Sequence, residues 1–135
     1  MTIGGVDADA VDGLTVADVM HGRCDALPAS ASVADVRAWF SISASRRLAL
    51  LADGERYVGS LTPADVAGDV DARRPVLQLA RRGATLAPDT AAAAGRDLVL
   101  ASPARRLPVV DDEGLLVGVL ALTTDRRRFA CRDVD

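Results

Sequence analysis

At 135 residues the chain has room for one ordinary globular domain or two small halves sharing a core, and its balance of 50% apolar and 26% charged residues is that of a folded, water-soluble protein rather than a disordered one. A net charge of −3 argues against bulk nucleic acid as the main partner, because neutralising phosphates needs a basic face. All sixteen positive residues are arginine, which excludes Schiff-base and Walker-type lysine chemistry.

Residues 1–13 are rich in Gly and Asp without a period and read as a flexible leader. Thr15-Val16-Ala17-Asp18 then places a capping hydroxyl three residues before a carboxylate, the signature of a helix start, and the short helix stops near Gly22. Cys24 to Leu27 reads as a short strand ended by Pro28. Ser32-Val33-Ala34-Asp35 opens a second helix by the same capping logic, with Val33, Val36, Trp39 and Phe40 on one face. Leu48 to Leu51 is a buried strand, Asp53-Gly54 a hairpin turn, and Tyr57 to Leu61 the return strand. Thr62-Pro63-Ala64-Asp65 opens another helix, with proline at the first helical position where its missing N–H does no harm.

The second half repeats this order. Val76 to Ala80 matches the first helix, Ala84 to Pro88 the first strand and Thr90 to Leu100 the amphipathic helix. Arg105 to Val110 aligns with Arg46 to Leu51, Asp111 to Gly114 is the turn, and Leu115 to Leu120 is the return strand. Pro28 pairs with Pro88 at an offset of about sixty and Gly59 with Gly118 at about fifty-nine, which marks an internal duplication. The expected repeats are residues 14–71 and 72–131, followed by a tail, 132–135. Each half is helix, strand, helix, strand, strand, helix, an α+β unit whose three-stranded sheet must cover its apolar face; the two halves are expected to pack sheet to sheet.

This order, with Leu107-Pro108-Val109-Val110-Asp111 and Val58-Gly59-Ser60-Leu61-Thr62-Pro63-Ala64-Asp65, resembles a tandem pair of CBS (cystathionine β-synthase) motifs, the Bateman module, over about residues 14 to 130. The resemblance implies a regulatory module rather than an enzyme. It implies an adenosine-containing ligand (AMP, ADP, ATP or S-adenosylmethionine) in the cleft between the motifs, no required cofactor, and a disc-like homodimer. Its output is expected to pass to a separate effector protein.

In that family a glycine in the third strand is followed by Ser/Thr three residues later and Asp three beyond, and the carboxylate accepts hydrogen bonds from the ribose hydroxyls. Gly59, Thr62 and Asp65 meet the pattern; Thr62 and Asp65 are the candidate ribose-binding pair. The second copy keeps Gly118 but has Ala121 and Thr124 at the aligned places, with Asp125 one residue late. One ribose site per chain is therefore expected. The competing reading of Thr62 and Asp65 is a helix cap and nothing more, as at Thr15/Asp18 and Ser32/Asp35.

Cys24, Asp25 and Ala26 occupy the strand whose backbone borders adenine in similar modules. Arg46-Arg47 and Arg105-Arg106, just before the second strand of each half, are candidates for phosphate, with solvated surface pairs as the plainer reading. Arg126-Arg127-Arg128 reads as a solvated face. Trp39 and Phe40 read as core or dimer-face residues.

His21, the only histidine, lacks a triad or metal partner at recognisable spacing and reads as an exposed loop residue; no catalytic or metal-ligating set is expected. Cys24 and Cys131 read as ordinary reduced thiols. With no signal-peptide pattern and no apolar run of membrane-spanning length, the expected location is cytoplasmic, without membrane or nucleic-acid partners.

Overall fold

The computed structural model describes residues 6–22, 26–123 and 125–130. The chain is α+β, as expected, with two three-stranded sheets and few helices. It divides into two compact units, Asp25–Gly83 and Met1–Cys24 with Ala84–Asp135.

The Asp25–Gly83 unit holds β2 (Leu27–Pro28), α2 (Val33–Ser41), β3 (Ala49–Asp53) and β4 (Arg56–Leu61). β2 pairs parallel with β3, and β3 pairs antiparallel with β4 through a register shift after Leu51. The β3–β4 hairpin turns at Gly54, whose φ of +63° is open to glycine at little cost. α2 starts at a capping box in which Ser32 Oγ accepts from Asp35 N–H and Asp35 Oδ2 from Ser32 N–H. Its apolar face buries Val33 and Val36 against Ala49, Leu51, Leu61, Val66 and Val76. Burying each valine or leucine of this cluster contributes about 1.5–3 kcal/mol relative to exposure. Trp39 and Phe40 pack partly buried against the same cluster, edge to face at 5.2 Å.

The other unit holds α1 (Val16–Val19), β1 (His21–Gly22), α3 (Ala92–Ala101), β5 (Arg106–Val110) and β6 (Leu116–Ala121). Its sheet order is β1-β6-β5, antiparallel throughout, and Leu86 adds a parallel bridge to Val109 on the far edge. Val16, Val19, Leu86, Val99, Val109, Leu120, Leu122 and Phe129 form its core.

Packing units and sequence repeats thus divide the chain differently. α1 and β1 come from the first repeat but pack with residues 84–130, while the 3₁₀ turn Val76–Gln78 from the second repeat packs with residues 25–83. A four-residue helix cannot hold itself in water. α1 is held from outside, Val16 N–H donating to Thr90 O and Ala17 N–H to Pro88 O; Val76 N–H donates in the same way to Ala31 O.

The structure departs from the sequence-based expectation in several places. Residues 6–13 are not a loose leader: Ala8 and Val11 are buried in the core, and Ala8 N–H donates to Arg127 O. The helix after Thr62 and the one at Val76 are 3₁₀ (Pro63–Val66 and Val76–Gln78). After β6 the described residues form no helix; Thr123 N–H donates to Arg128 O and Ala130 N–H to Ala121 O, so the chain folds back on its own strand. His21 is buried in β1 opposite Val119, because a strand pairing across the sequence covers it.

Candidate functional site

Thr62 and Asp65 sit where β4 runs into the 3₁₀ turn Pro63–Val66. Asp65 Oδ2 accepts from Thr62 N–H at 2.7 Å and from the Thr62 hydroxyl at 3.1 Å, and Asp65 N–H donates to Thr62 O at 3.0 Å. The turn ends where Arg37 of α2 collects carbonyls: its Nε donates to Val66 O and its Nη2 to Gly68 O and Val70 O. Those bonds satisfy carbonyls at and beyond the end of the turn that have no helical partner.

Thr15/Asp18 and Ser32/Asp35 have the same capping geometry, with Asp Oδ2 turned back onto the capping N–H. The Thr62/Asp65 box differs in one respect. Asp65 Oδ1 has Arg81 Nη2 at 3.6 Å, and among the described residues no hydrogen-bond donor reaches Oδ1 and neither Asp18 nor Asp35 has an arginine at ion-pair distance. Asp65 therefore caps with one oxygen and keeps the other for a charged neighbour.

Arg81 stands beside Asp65, a placement that the sequence motif does not reveal. Its backbone is stitched to β4, Ser60 N–H donating to Arg81 O at 2.8 Å and Arg81 N–H to Ser60 O at 3.0 Å. Gly59 gives that stitching room: a Cβ there would lie 3.0 Å from Ala80 Cβ and 3.3 Å from Arg81 O. Arg82 completes the clamp, its Nη1 donating to Tyr57 O and its carbonyl accepting from the Tyr57 hydroxyl, with its guanidinium 5.6 Å over the Tyr57 ring. Burial pushes the Tyr57 phenol above its ordinary value, against a smaller opposite pull from a Ser60 hydrogen bond and the Arg82 charge. The one signal in the sequence is the offset of sixty that aligns Arg81 with His21.

The second copy is built differently. Thr123 hydroxyl donates to Asp125 Oδ1 at 2.6 Å and Arg127 N–H to the same oxygen at 3.0 Å, a turn-closing arrangement rather than a helix cap. These hydrogen bonds, from Thr123 first and Arg127 N–H second, hold the Asp125 carboxyl below its ordinary value. Ala121 lies buried in β6 opposite Arg106. Thr124 lies outside the described residues.

The remaining candidates belong to other elements or lie outside the described residues. Cys24 and Asp25 lie outside the described residues; Ala26 is half-buried before β2. Arg46 is turned onto α2, its Nη1 donating to Trp39 O at 3.0 Å and its guanidinium 4.5 Å from the Trp39 ring centre. Arg47 is half-buried. Arg105 and Arg106 are not solvated surface residues: both are buried, Arg105 at the end of the tight Ser102–Arg105 turn with a φ of +56° and Arg106 at the start of strand β5. That unit also has an open recess of about 340 Å³ lined by Ala87, Pro88, Asp89, Val110, Asp111 and Asp112. Three aspartates make it unsuited to a phosphate-bearing ligand. Among the described residues no cluster of three or more His, Cys, Asp or Glu is placed to hold a metal, and no helix is long and apolar enough to cross a membrane.

No family model and no curated protein matches the chain. Solved structures do. The CBS domains of a transcriptional regulator from Streptococcus pneumoniae match with a TM-score of 0.70 at 21% identity, over 82% of this chain and 94% of that one. CBSX2, a CBS-pair protein from Arabidopsis thaliana solved in complex with AMP, matches at 0.68 and 24% identity over 81% and 90%. The cystathionine β-synthase pair domain chain from Shewanella oneidensis MR-1 matches at 0.67 and 20% identity over 76% of this chain, which spans 61% of it. Likeness at this level of identity establishes the fold.

Proposed function

We propose that this chain, whose fold is that of a tandem CBS pair, is a regulatory module that binds an adenosine-containing ligand at Thr62 and Asp65 and acts through a separate partner protein. The observation that carries the reading is the divided use of the Asp65 carboxylate: Oδ2 is spent on the cap, whereas Oδ1 accepts no hydrogen bond from the described residues and is available to ribose hydroxyls. The AMP complex of the similar CBSX2 supports the ligand class. The module is not an enzyme in this reading and needs no cofactor. It works in the cytoplasm as a homodimer, for which the exposed apolar side chains Ile42, Leu98 and Leu100 offer surface.

A thermal-shift panel with AMP, ADP, ATP and S-adenosylmethionine tests this. A ligand at a hundred times its dissociation constant stabilises by about 2.7 kcal/mol. Asp65→Asn is expected to abolish the response while an amide oxygen still accepts from Thr62 N–H. An unresponsive wild-type protein would sink the ligand reading for that set.

The second reading is a ligand-free interaction module. One observation favours it: the Thr62/Asp65 capping box has the same form as two others, at Thr15/Asp18 and Ser32/Asp35, so a cap alone accounts for both residues. In that case ligands leave the melting transition unmoved, and Asp65→Ala costs only the cap, about 1 kcal/mol.

A further inference from the structure

We propose that Arg81 is a phosphate-contacting residue that makes the Thr62/Asp65 site select a phosphorylated nucleoside over both an uncharged nucleoside and the cationic S-adenosylmethionine. The proposal rests on the ribose reading above and adds the ligand's charge to it.

Three capping boxes of the same chemistry provide an internal control. Asp18, Asp35 and Asp65 all turn Oδ2 onto the capping N–H, yet among the described residues only Asp65 has a guanidinium at its second oxygen. A cap needs no such neighbour. The Arg81 side chain is 82% exposed while that of Asp65 is 17% exposed, so the carboxylate lies in a recessed place and the cation stands over it in water. At 3.6 Å the pair is in ion-pair contact but too long for a hydrogen bond, and a contact of this length whose guanidinium stands in water is weak. The guanidinium is therefore cheap to withdraw from Oδ1 when hydroxyls arrive.

It cannot go far. The two backbone hydrogen bonds to Ser60 and the close approach at Gly59 fix the Arg81 main chain beside β4. A nucleotide that places its ribose hydroxyls on Oδ1 carries its 5′-phosphate on the same pentose, one short CH₂–O arm away. That puts the anion within the sweep of an arginine tethered at this point. A planar fork of N–H donors suits a phosphate better than it suits a lone carboxylate oxygen beyond hydrogen-bond distance. The same charge repels a sulfonium and gains nothing from an unphosphorylated nucleoside.

Titration calorimetry on the full chain with AMP, adenosine and S-adenosylmethionine tests this, using wild type, Arg81→Gln, Arg81→Lys and Asp65→Asn. Wild type is expected to bind AMP more tightly than adenosine, and Arg81→Gln to erase about tenfold or more of that preference without lowering adenosine affinity. Arg81→Lys restores part of the preference, and Asp65→Asn weakens AMP and adenosine alike. AMP affinity that is insensitive to Arg81→Gln, or an equal loss for AMP and adenosine, overturns this proposal alone. No binding of any of the three by wild type overturns the ribose reading, and this one with it. Because the Arg81 side chain is exposed, the two Arg81 variants are expected to melt with the wild type, so their loss of binding reports on contact rather than on folding.

Discussion

The stretch after β4 and the stretch after β6 begin with the same apolar frame and then part. After β4, proline starts a 3₁₀ turn, Asp65 caps it, and Arg37 of α2 gathers the carbonyls of Val66, Gly68 and Val70. After β6 the chain turns at Asp125 and returns, Leu122 bridging Phe129 and Asp7 bridging Arg128. Arg96 stands in the sequence where Arg37 does, fifty-nine or so residues on, but its Nη1 grips Ala8 O instead. A duplicated frame therefore tolerates two different closures. The first presents a carboxylate beside a cation; the second spends its carboxylate on a turn and uses the residues around Ala8 as structural filling.

The largest test of that contrast is Phe129→Ala. The side chain is fully buried in the core of its unit, and its N–H donates to Val6 O. Truncating a buried phenylalanine costs about 3–5 kcal/mol, read as a fall in the urea midpoint at constant slope. A loss below about 1 kcal/mol, the scale of an ordinary surface change, would mean that the return segment is not integral to this unit.

Next in size is a matched pair, Gly118→Ala and Gly59→Ala. A Cβ on Gly118 would stand 2.6 Å from His21 O and 2.6 Å from Met20 Sδ, so the backbone of β1 must move. A Cβ on Gly59 would meet Ala80 Cβ at 3.0 Å and Arg81 O at 3.3 Å, a few tenths of an ångström short of comfort. Overpacking of the first kind costs about 1–3 kcal/mol, and the second should cost less. Equal losses in chemical denaturation would remove the distinction between the two edges.

Much of this was legible in the sequence, and the parts that were not share a cause. The β3–β4 and β5–β6 hairpins, the three capping boxes and the glycine frame are local patterns, and each is found where turn chemistry and period place it. Hidden were the pairings made across long stretches of chain. β1 lies against β6 nearly a hundred residues away in sequence, which is why His21 is buried rather than exposed and why Gly118 is glycine. Ala8 and Val11 carry no period because they fill a gap rather than form an element. Arg105 and Arg106 look like a solvated pair until strand β5 is placed with every residue buried. The candidate site shows the same division: Thr62 and Asp65 follow from a spacing, whereas Arg81 reaches Asp65 only through its pairing with β4.

The smallest expected effect concerns Asp125, and it separates the two closures by pH. Hydrogen bonds from the Thr123 hydroxyl and Arg127 N–H hold this carboxyl below its ordinary value of 3.8. A group whose folded value is depressed contributes stability that is present above the unfolded value and lost as pH falls through the folded one. The contribution of Asp125 is thus complete at pH 5 and fades below pH 3.8. Asp125→Asn should narrow the difference in urea midpoint between pH 5 and pH 3 by a small amount, because the carboxylate is fully exposed and water screens its partners. If that variant leaves the pH dependence unchanged, the turn after β6 is closed by its backbone bonds alone. The carboxylate would then be dispensable, and the contrast with Asp65 would rest on the first closure only.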